Sequence, residues 1–283
     1  MATFPRGGAR IYYEDHGKGE PLIAVHGLIE NTTYWKHIAD ELMRRFRFIP
    51  MDMRAHGRTV VDGGPEGYDE ETMGQDIIAL ADHLSLERFH LLTHSTGGFV
   101  AVRLAMRDSS RLASLILTDT GSSTSLLPVG TDPETIRIFN DNFARQFEKY
   151  DWDQMIKGIR TAPGPFFCGI VESPRAEEML LSALEVISLG DRPTIAAFVR
   201  SFYTDPDPRV DGLRGITCPV LIICGEKDDL FIESSRLMAR EIPGAELIMY
   251  PGVGHMTALE CPELLARDVT RFIDRHRISK TAA

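Results

Sequence analysis

HLLTHSTGGFVAVRLA, residues 90–105, decides how this chain is read. An apolar run with strand character passes through Thr93-His94-Ser95-Thr96-Gly97-Gly98 straight into an apolar helical run. A serine on such a turn stands at the carboxyl end of a buried strand. It also stands beside a helix N-terminus, where unpaired N–H groups and the helix dipole favour negative charge. Gly97, two residues on, lets strand and helix approach closely. Ser95 is therefore read as a nucleophile. The competing reading is that it merely caps the following helix.

Outward from this turn, strand and helix signals alternate, the mark of an α/β fold with a mainly parallel sheet. Upstream, residues 9–14 read as an antiparallel strand, PLIAVHG as a short apolar strand, 34–44 as a helix and RFRFIPMDM as a strand ending at Asp52. Met73, Ile77, Leu80, Ala81 and Leu84 recur at helical spacing. ASLILT, residues 113–118, reads as another buried strand. From Gly121 to about Asp211 the rhythm breaks: helical patterns appear at 133–150, 152–160, 174–189 and 192–203, with PGPFFCG and TDPDPRVDG as punctuation. PVLIICG, a helix at 233–240, the strand AELIMY and a last helix at 262–275 then restore the alternation. The simplest organisation is a sheet domain, 1–121 and 212–283, interrupted by a helical cap, 122–211.

Five segments carry a family likeness. Thr93-His94-Ser95-Thr96-Gly97 resembles the G-x-S-x-G nucleophile elbow of the α/β-hydrolase family, and the likeness extends over nearly the whole chain. Thr93 stands where the family carries glycine, and its β-branched bulk predicts a tighter or slightly shifted elbow. AVHGLIEN, residues 24–31, is similar to the oxyanion loop, an HG pair after the third strand. The resemblance implies that the backbone N–H groups of Leu28 and Thr96 bind a developing oxyanion, with His26 structural and Glu30 and Asn31 bordering the pocket or solvent. MDMRAHGRT, residues 51–59, resembles the D-x-R-G-x-G-x-S segment, with Asp52 and Arg54 expected to pair and shape loops. Gly225-Glu226-Lys227-Asp228 resembles the acid loop and makes Asp228 the acid, with Asp119 at the end of LILTD as the rival position. Gly254-His255 with Glu260 resembles the G-H-x-x-x-x-E segment and makes His255 the general base. Ser95, Asp228, His255 is also this fold's chain order. The resemblance implies an α/β fold: a mostly parallel eight-stranded sheet flanked by helices, with the helical cap inserted.

Composition narrows the partners. The chain has 283 residues, 43% hydrophobic and 25% charged, an ordinary globular balance. A formal net charge of −10 argues against nucleic acid, which needs clustered Lys and Arg. Cys168, Cys218, Cys224 and Cys261 form no CxxC pair and read as reduced thiols. MATFPRGGARIYYEDHGKG holds no apolar stretch of signal-peptide length, and no segment approaches a membrane span, so a cytoplasmic location is expected.

The expected reaction is two-step acyl transfer by Ser95, His255 and Asp228, with no cofactor and no metal. A nucleophilic serine sets the chain apart from the dehalogenase and epoxide hydrolase relatives, which use aspartate there. The expected substrate is a small-molecule apolar carboxylic ester or lactone, contacted by Trp35, Phe99, Phe143, Trp152, Phe167 and Met256. Carbon–carbon bond hydrolysis of the meta-cleavage type, cofactor-free perhydrolysis and a catalytically silent ligand-binding module are the alternatives. A homodimer is left open.

Overall fold

The computed structural model describes residues 2–62, 64 and 67–278. In chain order its strands are β1 (Ala2–Arg6), β2 (Ala9–Tyr13), β3 (His16–Gly17), β4 (Glu20–Val25), β5 (Phe46–Met51), β6 (Val60–Val61), β7 (Phe89–His94), β8 (Leu112–Thr118), β9 (Val220–Gly225) and β10 (Glu246–Tyr250). Eight of them form one path across the sheet, β1-β2-β5-β4-β7-β8-β9-β10, while β3 pairs with β5 and β6 with β2. β2 pairs antiparallel with both β1 and β5; along the path from β5 to β10 every pairing is parallel.

The central strands are apolar on both faces because helices cover both. In β9, Val220, Ile222 and Cys224 enter one core while Leu221 and Ile223 enter the other; in β4, Ile23 and Val25 part in the same way from Leu22 and Ala24. The first core is closed by α2 (Glu70–His83) and α3 (Thr96–Arg107), and the second by α1 (Lys36–Met43) and α12 (Pro262–Arg275).

Between β8 and β9 lie α4 (Pro133–Lys149), α5 (Trp152–Thr161), α6 (Gly164–Val171), α7 (Ala176–Ile187), α8 (Arg192–Phe202) and the short α9 (Val210–Arg214). Asp132, Asp151 and Asp191 cap α4, α5 and α8, each accepting a backbone N–H of the first turn. α10 (Ile232–Glu241) and α11 (Thr257–Glu260) complete the chain. Besides the short β3, β6 and α11, three elements differ from the sequence reading. β1 is an additional antiparallel edge strand, where Pro5 is tolerated. α6 occupies the stretch read as punctuation: Pro165 sits in its first turn, where a missing N–H costs nothing, and FFCGIV continues it. α9 follows Arg209, which adopts φ 52°.

Strand order reverses between β4 and β7: the chain leaves β4 toward β5 on one side and returns to β7 on the other. In open α/β sheets the crevice outside such a switch point is where ligands bind. No helix among the described residues is long and apolar enough to cross a membrane.

Candidate active site

Ser95 sits where β7 breaks into α3, with φ 48° and ψ −116°. A non-glycine residue there carries about 1–3 kcal/mol of strain, which persists only when its surroundings impose it. Those surroundings are tight. Gly97 donates its N–H to the His26 carbonyl at 3.1 Å. A β-carbon on Gly97 would lie 2.5 Å from that oxygen and 2.7 Å from the Val25 carbonyl. One on Gly98 would overlap the Thr120 side chain, whose hydroxyl donates to the Ser95 carbonyl at 2.6 Å. Thr93 fits the glycine position of the motif because it is fully buried and its hydroxyl donates to the Ile116 carbonyl of β8 at 3.2 Å.

The loop after β4 forms the opposite bank. His26 is fully buried; its Nε2 accepts the Met53 N–H at 3.0 Å and its Nδ1–H donates to the Gly27 carbonyl at 2.8 Å, a structural role as expected. Ile29 takes φ 59°, a second strained residue beside the crevice. Among the described residues, the N–H groups of Leu28 and Thr96 have no backbone or side-chain acceptor. Asp52 and Arg54 do not pair with each other. Asp52 accepts the N–H groups of Thr32 (2.6 Å) and Arg58 (2.7 Å), and Arg54 is bidentate to Asp76, at 2.6 and 3.1 Å. Both carboxylates lock loops around the oxyanion segment.

His255 arrives on the loop between β10 and α11. Its Nδ1–H donates to Asp228 Oδ2 at 2.9 Å, and both residues are buried. Aromatic rings fix its plane: Phe231 stacks at 5.3 Å and Phe166 meets it edge-on at 5.0 Å. Glu260 accepts the N–H groups of Gly254 (2.8 Å) and Met256 (3.0 Å), holding the loop on both sides of the histidine. Asp228 reaches His255 because a bare Gly225 lets β9 close against Val253 and Gly254. α6 rests on the same loop: a β-carbon on Gly169 would lie 2.6 Å from the Gly254 nitrogen and 2.8 Å from its Cα.

Asp119, the rival acid position, is fully buried and accepts the Gly225 N–H at 3.0 Å without reaching His255. Burial, followed by the nearby charge of Asp228, holds its carboxyl well above the usual range. Asp119, Cys224 and Asp228 bring potential metal-ligand atoms within 4.8 Å of one another. Asp228 Oδ2 is engaged by His255, and burial pushes the Cys224 thiol up.

Ser95, Thr96, Leu28 and His255 all line one cavity of about 180 Å³. Among the described residues no hydrogen bond joins Ser95 Oγ to His255; catalytic contacts of this kind often tighten only with substrate bound. Phe99, Phe143, Phe167 and Met256 line the cavity as expected, joined by Phe147, Phe166, Met155, Ile159, Ile187 and Tyr203. Trp35 and Trp152 do not. Trp35 is fully buried in the core under α1 and α12, because the 3-10 turn at Thr32–Trp35 aims it beneath the loop. Trp152 is turned toward Gly190, to whose carbonyl its indole donates at 3.1 Å. Sequence reasoning missed α6 as an element, so it had no helix on which to place Phe166 against His255.

A family model described as alpha/beta hydrolase fold matches residues 20–262. The chain belongs to the α/β-hydrolase fold family. This α/β-hydrolase is an enzyme of the hydrolase class, with esterase relatives. It is 27% identical, over 90% of its own length and 96% of the relative's, to a pimeloyl-[acyl-carrier protein] methyl ester esterase of Nitrosomonas europaea. An esterase structure from Exiguobacterium antarcticum superposes with a TM-score of 0.79 at 26% identity, covering 97% of this chain and all (100%) of that one. An enol-lactonase from Burkholderia xenovorans LB400 shares the fold with a TM-score of 0.79 at 21% identity, covering 96% of this chain and 99% of that one.

Proposed function

We propose that this α/β-hydrolase cleaves neutral, apolar carboxylic esters or lactones through an acyl-enzyme on Ser95. One observation carries the reading: Ser95 and His255 face the same cavity while Asp228 braces the far nitrogen of His255 at 2.9 Å. His255 Nε2 takes the Ser95 proton as Oγ attacks the carbonyl carbon. The oxyanion is received by the N–H groups of Leu28 and Thr96, each worth on the order of 10²–10³ in rate. Asp228 stabilises the imidazolium. As the tetrahedral adduct collapses, His255 passes the proton to the leaving oxygen; an alcohol departs, or in a lactone stays tethered to the acyl chain. Water then repeats the sequence and releases the acid with Ser95 restored.

The cavity lining supports the substrate class. Among the described residues it holds no Lys or Arg. An acyl group bearing a carboxylate would lose its water there with no cationic side chain to replace it, which ranks anionic diketones of the meta-cleavage type below neutral esters. At about 180 Å³ the cavity is smaller than the roughly 300–1,000 Å³ of drug-sized sites, and suits a short or medium acyl arm. Residues 122–211 act in this reading as the cap: α4 to α7 supply Phe143, Met155, Phe166 and Ile187 to the roof. The esterase relatives are consistent with the same class.

The test is a panel of p-nitrophenyl acyl esters, lactones, meta-cleavage diketones and peracid formation, run on the native protein and Ser95→Ala. Neutral esters or lactones should turn over fastest. Ser95→Ala should lose about 10⁴-fold or more in kcat with its fold intact, and a serine-directed phosphonate should label Ser95. Ordinary turnover by Ser95→Ala would sink the mechanism.

A further inference from the structure

Glu30 is the polar residue of the cavity that the mechanism leaves unused. It is 3% exposed and lines the cavity beside Ser95 and His255. Its Oε2 accepts the Gly27 N–H at 2.5 Å, one residue before Leu28. Its Oε1 lies 3.3 Å from Nε2 of His94, a fully buried atom that has no aligned hydrogen-bond partner among the described residues.

An inventory of protons settles what passes between them. The Thr118 hydroxyl commits its only proton to the Thr93 carbonyl at 3.0 Å. It can therefore only accept from His94 Nδ1, 3.2 Å away, so Nδ1 carries the hydrogen. In a neutral imidazole Nε2 is then a bare lone pair. An ionised Glu30 would aim its own lone pairs at that nitrogen. A protonated Glu30 instead donates through Oε1 while Oε2 accepts from Gly27. An ion pair with doubly protonated His94 is opposed by burial and by the neighbouring His255, which hold His94 well below the ordinary histidine range. Burial likewise raises the Glu30 carboxyl to about 8. The titratable groups facing Glu30 are His94 at the end of β7, His255 before α11, Tyr34 in the 3-10 turn and Tyr203 after α8.

We propose that Glu30 works as a neutral carboxylic acid, a positioning residue that bridges the oxyanion loop to the nucleophile elbow through His94, and that its ionisation limits activity on the alkaline side. The bridge joins the two segments that each offer one oxyanion donor, Leu28 from the loop and Thr96 from the elbow, and so sets the gap between them. A carboxylate at the same place would repel the negative charge that develops on the substrate oxygen. This rests on the Ser95 reading for its kinetic arm alone.

The test compares kcat and kcat/KM from pH 6 to 10 for the native protein, Glu30→Ala and Glu30→Gln. An amide reproduces the neutral pattern, with its oxygen accepting from Gly27 and its NH₂ donating to His94. Glu30→Ala should lose roughly 10- to 100-fold in kcat/KM at pH 7. Glu30→Gln should recover most of that loss and flatten the fall that the native protein shows above pH 8. A second arm titrates the native protein labelled with ¹³C at its glutamate carboxyls. It needs neither a variant nor a substrate, so it reads the proton even if Ser95 is not the nucleophile. One carboxyl should titrate near pH 8, and its resonance should be missing from Glu30→Gln. Glutamates all ionised by pH 6, a Glu30→Gln as poor as Glu30→Ala, or an alkaline limb unchanged by Glu30→Gln would each overturn the proposal.

Discussion

The floor and the roof of the cavity are built by different means. On the floor, directed hydrogen bonds hold the backbone: Gly97 N–H on the His26 carbonyl, the Glu260 carboxylate on the Gly254 and Met256 N–H groups, the Thr120 hydroxyl on the Ser95 carbonyl. Two strained non-glycine residues, Ser95 and Ile29, are clamped in place there. The roof, from α4 to α7, reaches the cavity mainly through apolar side chains such as Phe143, Met155 and Ile159. A floor of directed bonds tolerates few residue types at each position; a roof of dispersion contacts tolerates many of the right size. On the proposed mechanism, chemistry would belong to the floor and selectivity to the roof.

The sharpest way to break that division is on the floor. Asp228→Asn keeps the shape but presents the wrong partner to His255 Nδ1, and kcat should fall by about 10³–10⁴-fold with KM little changed; steady-state kinetics on one good ester would show it. A fall shared equally with KM would mean that Asp228 holds the pocket rather than the imidazole.

Sequence reached the floor and roof unequally for the same reason. Ser95, Asp228 and His255 were legible because each needs one residue type at a fixed distance past a strand, and the strands announce themselves as apolar runs closed by glycine. Of the two acid positions, Asp228 and not Asp119 accepts from His255 Nδ1. The roof was legible only as helices with aromatics. Composition does not say which face of a helix an indole takes, so Trp152 was expected in the cavity and is instead turned toward Gly190. α6 was hidden because Pro163, Gly164 and Pro165 look like a loop until the helix they start is seen. The Asp52–Arg54 pairing failed because Asp76, on α2, lies outside the motif and nothing local points to it.

A gentler probe sharpens the contrast on the roof. Phe143→Ala should open the cavity and lower kcat/KM for short acyl esters by about 10-fold while improving longer ones; an acyl-chain series would read the shift in optimum. Uniform loss across all chain lengths would place Phe143 in the fold rather than in selectivity.

The smallest effect is one of stability. The folded chain keeps the Glu30 proton to about pH 8, against 4.5 for an unperturbed carboxyl, because burial disfavours the charge. The stability this group contributes is therefore complete below pH 4.5, declines as pH rises and is gone above about 8, a slope of at most about 1.4 kcal/mol per pH unit. Urea unfolding at pH 5, 7 and 9 should show the native protein losing ground to Glu30→Gln between pH 5 and 9. Parallel curves would count against a buried proton.

The contact of Gly169 on Gly254 has a consequence for how this enzyme can diversify. Main chain meets main chain there, beside the Glu260 carboxylate, so one end of the roof is coupled to the loop that carries the imidazole. A lineage that moved α6 aside to admit a bulkier substrate would drag His255 out of register. Substrate range should therefore drift through the exposed turns and interior faces of α4 and α5, which can be recut without touching His255, while α6 stays where it is.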